Sequence, residues 1–218
     1  MSKTDFETAR IAMVDCQIRP AEVTHYNIIE TMLKVPREEF FPEKLRELAY
    51  AGDTLQIAPD RYSLDPRIVA KMLNLLNIRD SELVLDIGGA YGYGACLLSY
   101  FAQAIVLTEE LIFAKEAERI LAEQSIDNVI VSSGNLANGA SEFGLYDAII
   151  IEGGIEYVPY QLSEQLKLGG RIVAIFMNNS IGECRLGFKT RDGINWRFGF
   201  NAFAPLLQDF KLEEQFVF

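Results

Sequence analysis

The pattern of apolar and polar positions changes character along the chain. From residue 83 onward, short apolar runs alternate with stretches of helical spacing. The runs at 83–87, 104–108, 129–132, 147–151 and 171–176 read as strands, and the stretches at about 92–102, 110–124 and 157–167 read as helices. Leu83, Val84, Leu85 and Ile87 are apolar on both strand faces, as a central parallel strand requires. Strands alternating with helices of this length predict right-handed crossovers and a mostly parallel sheet. Gly169-Gly170 is expected to close the last helix and turn into the fifth strand. Beyond it, runs at 184–190 and 194–200 flank Arg191-Asp192-Gly193, a hairpin signal, so the sheet should end in an antiparallel pair.

Ahead of residue 83 the spacing is helical but interrupted. Ile11, Val14 and Ile18, then Ile28, Ile29, Met32 and Leu33, recur at helical intervals, and Pro20 and Pro36 cut the region into short helices. Thr24 is the expected N-cap of the second helix, and Pro42 opens a further short one. Residues 49–66 lack periodicity and read as a loop, long enough to favour a binding role. Asp65-Pro66 then starts a helix with Ile68, Val69, Met72, Leu73 and Leu76 on its apolar stripe. The expected organisation is a helical region with a substrate loop at 1–78 and a ligand-binding α/β domain at 79–218, forming one compact unit.

Composition narrows the classes of function. The chain has 218 residues and a net charge of -11, which argues against a nucleic-acid backbone as partner. No apolar run reaches the ~18 residues of a membrane span, and residues 1–10 lack the apolar core of a signal peptide. Cys16, Cys96 and Cys184 are scattered and odd in number, which suits a reducing cytoplasm and supports neither a disulfide framework nor a metal cluster. His25 is the single histidine, so a Ser-His-Asp triad or a histidine-based metal site is poorly supported. Nothing in the composition speaks to oligomeric state.

The chemistry concentrates at LVLDIGGAYGYGA, residues 83–95. A buried strand there turns on Gly88 and Gly89 into a helix whose first N–H groups face the strand end, the default ligand position in an open α/β sheet. Glu109 lies 21 residues after Gly88, at the end of the second strand, where a carboxylate grips a ribose diol or simply caps the following helix. A dinucleotide turn would need glycines at 88, 90 and 93, but the chain has Gly88, Ala90 and Tyr93. The spacing Gly88, Ala90, Gly92, with the antiparallel tail, favours S-adenosylmethionine instead.

Several stretches together resemble the protein-L-isoaspartate O-methyltransferases: MVDCQIRP, VPREEFFPE at 35–43, VLDIGGAYGYGA at 84–95, NVIVSSGN at 128–135, YDAIIIEGG at 146–154 and QLKLGGRIV at 165–173. The resemblance implies a Rossmann-like, seven-stranded methyltransferase sheet and a protein or peptide carboxylate as methyl acceptor, methylated at isoaspartyl residues of damaged proteins. It implies that Gly88, Gly89, Ala90 and Gly92 lie along the methionine part of the cofactor and that Asp86 supports the glycine turn. Glu109, followed by Glu110, would hold the ribose. Gly134, Asn135 and Leu136 would flank the adenine, and Glu152 would face the methyl group from the sheet rim. Three positions depart from the family pattern: Ala90 replaces a glycine, Asn135 an aspartate, and D-R-Y-S-L at 60–64 stands where the family has G-Q-T-I-S. Leu64 falls on the family's serine. The acceptor contact then passes to Ser63 or to Arg61, whose planar fork suits a carboxylate; Arg61 could equally be a surface residue pairing with Asp60 or Asp65. These departures leave open the same fold with another acceptor, or a weak or inactive cofactor-binding homologue.

Overall fold

The computed structural model describes residues 2–212. Seven strands form one sheet in the order β5-β4-β3-β6-β7-β8-β9. β3 (Leu83–Ile87), β4 (Ala104–Glu109), β5 (Val129–Ser133), β6 (Tyr146–Ile155) and β7 (Leu166–Asn178) are parallel. β8 (Ile181–Thr190) and β9 (Gly193–Asn201) complete it as the antiparallel hairpin expected from Asp192-Gly193. Val84, Leu85, Ile87, Ile149, Ile150 and Ile151 are fully buried, so β3 and β6 are covered on both faces. α4 (Tyr93–Leu98) and α5 (Leu111–Glu123) connect the parallel strands. Chain order reverses between β3 and β6, which places the sheet's topological switch point directly above the glycine turn.

The N-terminal region packs onto the same core. α1 (Lys3–Met13) opens with a Ser2 capping box, and α2 (Tyr26–Lys34) buries Ile28, Ile29 and Met32. Between them the chain widens into a π-helical turn at Val14–Ile18 and then tightens into a 3₁₀ turn at Arg19–Ala21 carrying Pro20. Thr24 does not cap α2: its N–H and hydroxyl both turn to Asn74 Oδ1, and His25 holds the cap position without a side-chain bond. α3 (Pro66–Leu76) begins as expected, with Asp65 accepting from the Arg67 N–H and proline in the first turn.

Two expectations are corrected. Residues 49–66 are not wholly loop: β1 (Leu55–Ala58) and β2 (Arg61–Ser63) form a small hairpin around Pro59-Asp60, with Asp60 at φ +56°. The helix at 157–167 shrinks to α6 (Tyr160–Glu164), and Gly169 and Gly170 lie within β7 rather than ahead of it. Gly169 sits at φ +79° near a register shift between β6 and β7, so the glycines accommodate a bulge instead of ending a helix.

After β9 the chain crosses back to the switch point. Gly154 donates to the Pro205 carbonyl at 2.8 Å and accepts from the Leu207 N–H at 2.9 Å, while Glu156 N–H reaches the Phe210 carbonyl at 3.0 Å. Residues 205–210 thus lie along the protruding end of β6. The fit depends on glycine: a Cβ on Gly153 would stand 2.5 Å from Leu207 Cγ, and one on Gly154 2.5 Å from the Ala204 carbonyl oxygen.

Candidate active site

The crevice lies where the C-terminal ends of β3, β4 and β6 meet the glycine turn. Gly88 has φ +77° and Gly92 φ +86°, both in the left-handed region, and Ala90 is held there at +52°. An alanine in that region carries a cost of roughly 1–2 kcal/mol that glycine would not. Ala90 N–H donates to Glu109 Oε1 at 2.6 Å, so the turn is fastened to the end of β4.

Glu109 is fully buried. Besides Ala90, it accepts from the Glu110 N–H at 3.0 Å, and Arg61 Nη2 forms an ion pair with its Oε1. Arg61 is 4% exposed, and its guanidinium carbon lies 5.0 Å from the Phe113 ring centre. Its position is therefore at Glu109 and Phe113, not on the surface in a pair with Asp60 or Asp65. Burial pushes the Glu109 carboxyl up to about 7, against the pull of Arg61 and the two backbone N–H groups.

A second acid pair sits deeper. Asp86, on β3, and Glu152, on β6, are both buried, and neither oxygen of Asp86 nor Oε1 of Glu152 has a well-formed hydrogen bond to a donor. Burial raises both carboxyls, Glu152 to about 7, and the neighbouring Glu152 and Glu109 charges raise Asp86 further. The two carboxyls are close enough that the Glu152 charge opposes ionisation of Asp86. Gly94 makes room for this pair: a Cβ there would fall 1.6 Å from Glu152 Oε1.

Arg37, from the VPRE segment, links this floor to the loop. It is 1% exposed; its Nε donates to the Ala49 carbonyl at 2.8 Å, and Nη2 donates to Ser63 Oγ at 3.0 Å and the Leu64 carbonyl at 2.7 Å. Its guanidinium carbon stacks 4.6 Å from the Tyr93 ring centre and 5.2 Å from that of Phe41, leaving Nη1 buried and unpaired. Ser63 is half-buried with its Oγ used only as an acceptor of that bond, so its O–H remains available to donate. Leu64 is packed in the core at 2% exposure.

The residues expected from the sequence to flank the adenine lie after β5. Gly134 and Asn135 are exposed, Leu136 is buried, and the Leu136 N–H is given to Asp209 Oδ2 at 2.8 Å. Glu110 is exposed at the start of α5. Arg37 and Asp209 belong to the site although no sequence pattern marks them: Arg37 lies in the VPRE segment with no local sign of burial, and the position of Asp209 depends on a return of the chain that no local pattern announces.

A glycine turn at a switch point, a carboxylate closing the second strand and a sheet ending in an antiparallel hairpin define an α/β methyltransferase of the S-adenosylmethionine-dependent class. The protein-L-isoaspartate(D-aspartate) O-methyltransferase (PCMT) family matches residues 9–192. The chain is 37% identical over 169 residues to the protein-L-isoaspartate O-methyltransferase of Syntrophus aciditrophicus (strain SB), covering 77% of this chain and 78% of that one. It is 33% identical over 202 residues to the protein of the same name from Methanospirillum hungatei, covering 92% and 94% respectively. Among solved structures, a beta-aspartate methyltransferase (PCMT) from Plasmodium falciparum in complex with S-adenosyl-L-homocysteine superposes with a TM-score of 0.77 at 17% identity, over 92% of this chain and 98% of that chain, which establishes the shared fold. The chain belongs to the protein-L-isoaspartate O-methyltransferase family.

Proposed function

We propose that the protein transfers a methyl group from S-adenosylmethionine to the carboxylate of isoaspartyl residues in proteins, as a repair step in the cytoplasm. The observation that carries this reading is the complementarity of the crevice to the cofactor, in a chain of this family. The orphaned oxygens of Asp86 and Glu152 lack the donors that an ammonium group would bring. Glu109, once released by Arg61, would accept both hydroxyl hydrogens of a ribose diol, and Leu136 N–H, now given to Asp209, would with Asn135 meet the adenine edge. S-adenosylmethionine, when bound, supplies a methyl group already activated on a sulfonium.

What the chain must add is position. The acceptor carboxylate has an ordinary pKa near ~4 and is ionised at neutral pH, so no general base is needed. Alignment can contribute about 7–11 kcal/mol in favourable cases. Ser63 offers its hydroxyl hydrogen to the acceptor while Arg37 fixes the oxygen that carries it. The buried Arg37 cation also makes the loop end favourable for an anion. Methyl incorporation from labelled S-adenosylmethionine into an isoaspartyl peptide, beside its aspartyl isomer, tests the proposal. Labelling of the isoaspartyl form alone supports it, and no turnover above blank with either peptide overturns it.

A further inference from the structure

The hollow between the β1–β2 hairpin and the strand ends is small. It encloses about 170 Å³, bounded by Asp60, Arg61, Glu110, Leu136 and Asp209. The chain itself reaches into the adjoining strand-end crevice at three points. Arg61 donates to Glu109, Asp209 accepts from the Leu136 N–H, and the Leu207 side chain lies against Gly88 and Gly153, where added Cβ atoms would come within 3.1 Å of Leu207 Cδ1 and 2.5 Å of Leu207 Cγ.

Each contact reproduces the polarity of a nucleoside. A ribose diol donates to a carboxylate, and here the guanidinium donates. A purine ring nitrogen accepts from a backbone N–H, and here a carboxylate accepts. Leu207 supplies the apolar filling at the switch point. We propose that Arg61 and residues 205–210 form an internal occupant of the cofactor crevice, one that S-adenosylmethionine must displace in order to bind. This rests on reading the crevice as the cofactor site.

The two arms have the means to leave. Arg61 is borne on a hairpin whose strands are four and three residues long and which forms a separate two-stranded sheet, an arrangement of marginal stability alone. Residues 205–210 are held to β6 by the Gly154 and Glu156 backbone bonds. Asp209 is only half-buried, so its carboxylate can be rehydrated at little cost on release. Displacement is an exchange in which Glu109 gives up one set of donors and takes another, so the buried carboxylate never stands alone.

Calorimetry with S-adenosylhomocysteine on the full chain tests the idea, comparing wild type with Arg61→Ala, Arg61→Gln and Asp209→Ala. The expected result is tighter binding by fivefold or more in Asp209→Ala and Arg61→Ala, with Arg61→Gln in between. Equal or weaker affinity in Asp209→Ala and in both Arg61 variants overturns the internal occupant while leaving the cofactor site standing. No binding by wild type or by any folded variant overturns both. Hydrogen exchange on wild type gives a readout that needs no variant: added S-adenosylhomocysteine should speed exchange at the Leu207 and Gly154 amides. Unchanged or slower exchange there refutes displacement.

Discussion

Raising the pH from about 5 to 8 should weaken the fold, and Glu152→Gln should remove much of that dependence. Glu152 has its ordinary carboxyl value of 4.5 raised to about 7, chiefly by burial. The folded protein therefore holds a proton between these values that the unfolded chain has released. Stability is full below about 4.5 and is lost as pH rises toward 7, then levels off. At about 1.4 kcal/mol per tenfold change in proton affinity, the loss is at most about 3–4 kcal/mol for this group. Glu109, also raised to about 7, acts in the same direction. Glu82 and Asp147 are lowered by their bonds to Arg171 and Lys167, against their own burial, and titrate below this window. General repulsion in a chain of net charge -11 also favours lower pH, so the variant is the deciding comparison. In Glu152→Gln the amide can donate to Asp86 without titrating. Urea unfolding at four pH values should show the variant losing markedly less stability than wild type between pH 5 and 8. Parallel pH profiles for the two proteins would refute the assignment of this pH dependence to Glu152.

Three further outcomes follow from the site. Arg37→Met should cost about 3 kcal/mol or more in urea unfolding, because the buried Ala49 and Leu64 carbonyls lose their donor; a loss under about 1 kcal/mol would show that water replaces it. Ser63→Ala should lower kcat/KM for an isoaspartyl peptide by about tenfold with the melting temperature little changed, and unaltered kinetics would remove Ser63 from acceptor binding. Gly94→Ala should destabilise by about 1–3 kcal/mol through its collision with Glu152, yet become neutral or stabilising in a Glu152→Ala background, where the gain in helix propensity is about 1 kcal/mol; equal effects in both backgrounds would contradict the packing.

The parallel sheet was legible because its strands are apolar on both faces, and the terminal hairpin because Asp192-Gly193 suits so few other structures. Glu109 was legible from its distance to Gly88, since strand, helix and strand must fit between them. What escaped was held by contacts distant in sequence. β1 and β2 bury few side chains, so alternation had almost nothing to register. The Arg61–Glu109 pair spans 48 positions and the Leu136–Asp209 bond 73, which no window of helical or strand period can see. The segment at 157–167 carries apolar residues at spacings a helix would use, but Pro159 and the early start of β7 leave it a single turn and a half.

Arg37 has a consequence for how the chain can be divided. A fragment begun at Ala49 would retain the small hairpin and every strand of the large sheet. Yet Ala49 and Leu64, at the two ends of the retained loop, would have lost the donor they share, and Tyr93 would lose the guanidinium stacked on its ring. The catalytic half of such a protein is thus not portable: whoever grafts the sheet elsewhere must carry one arginine from outside it.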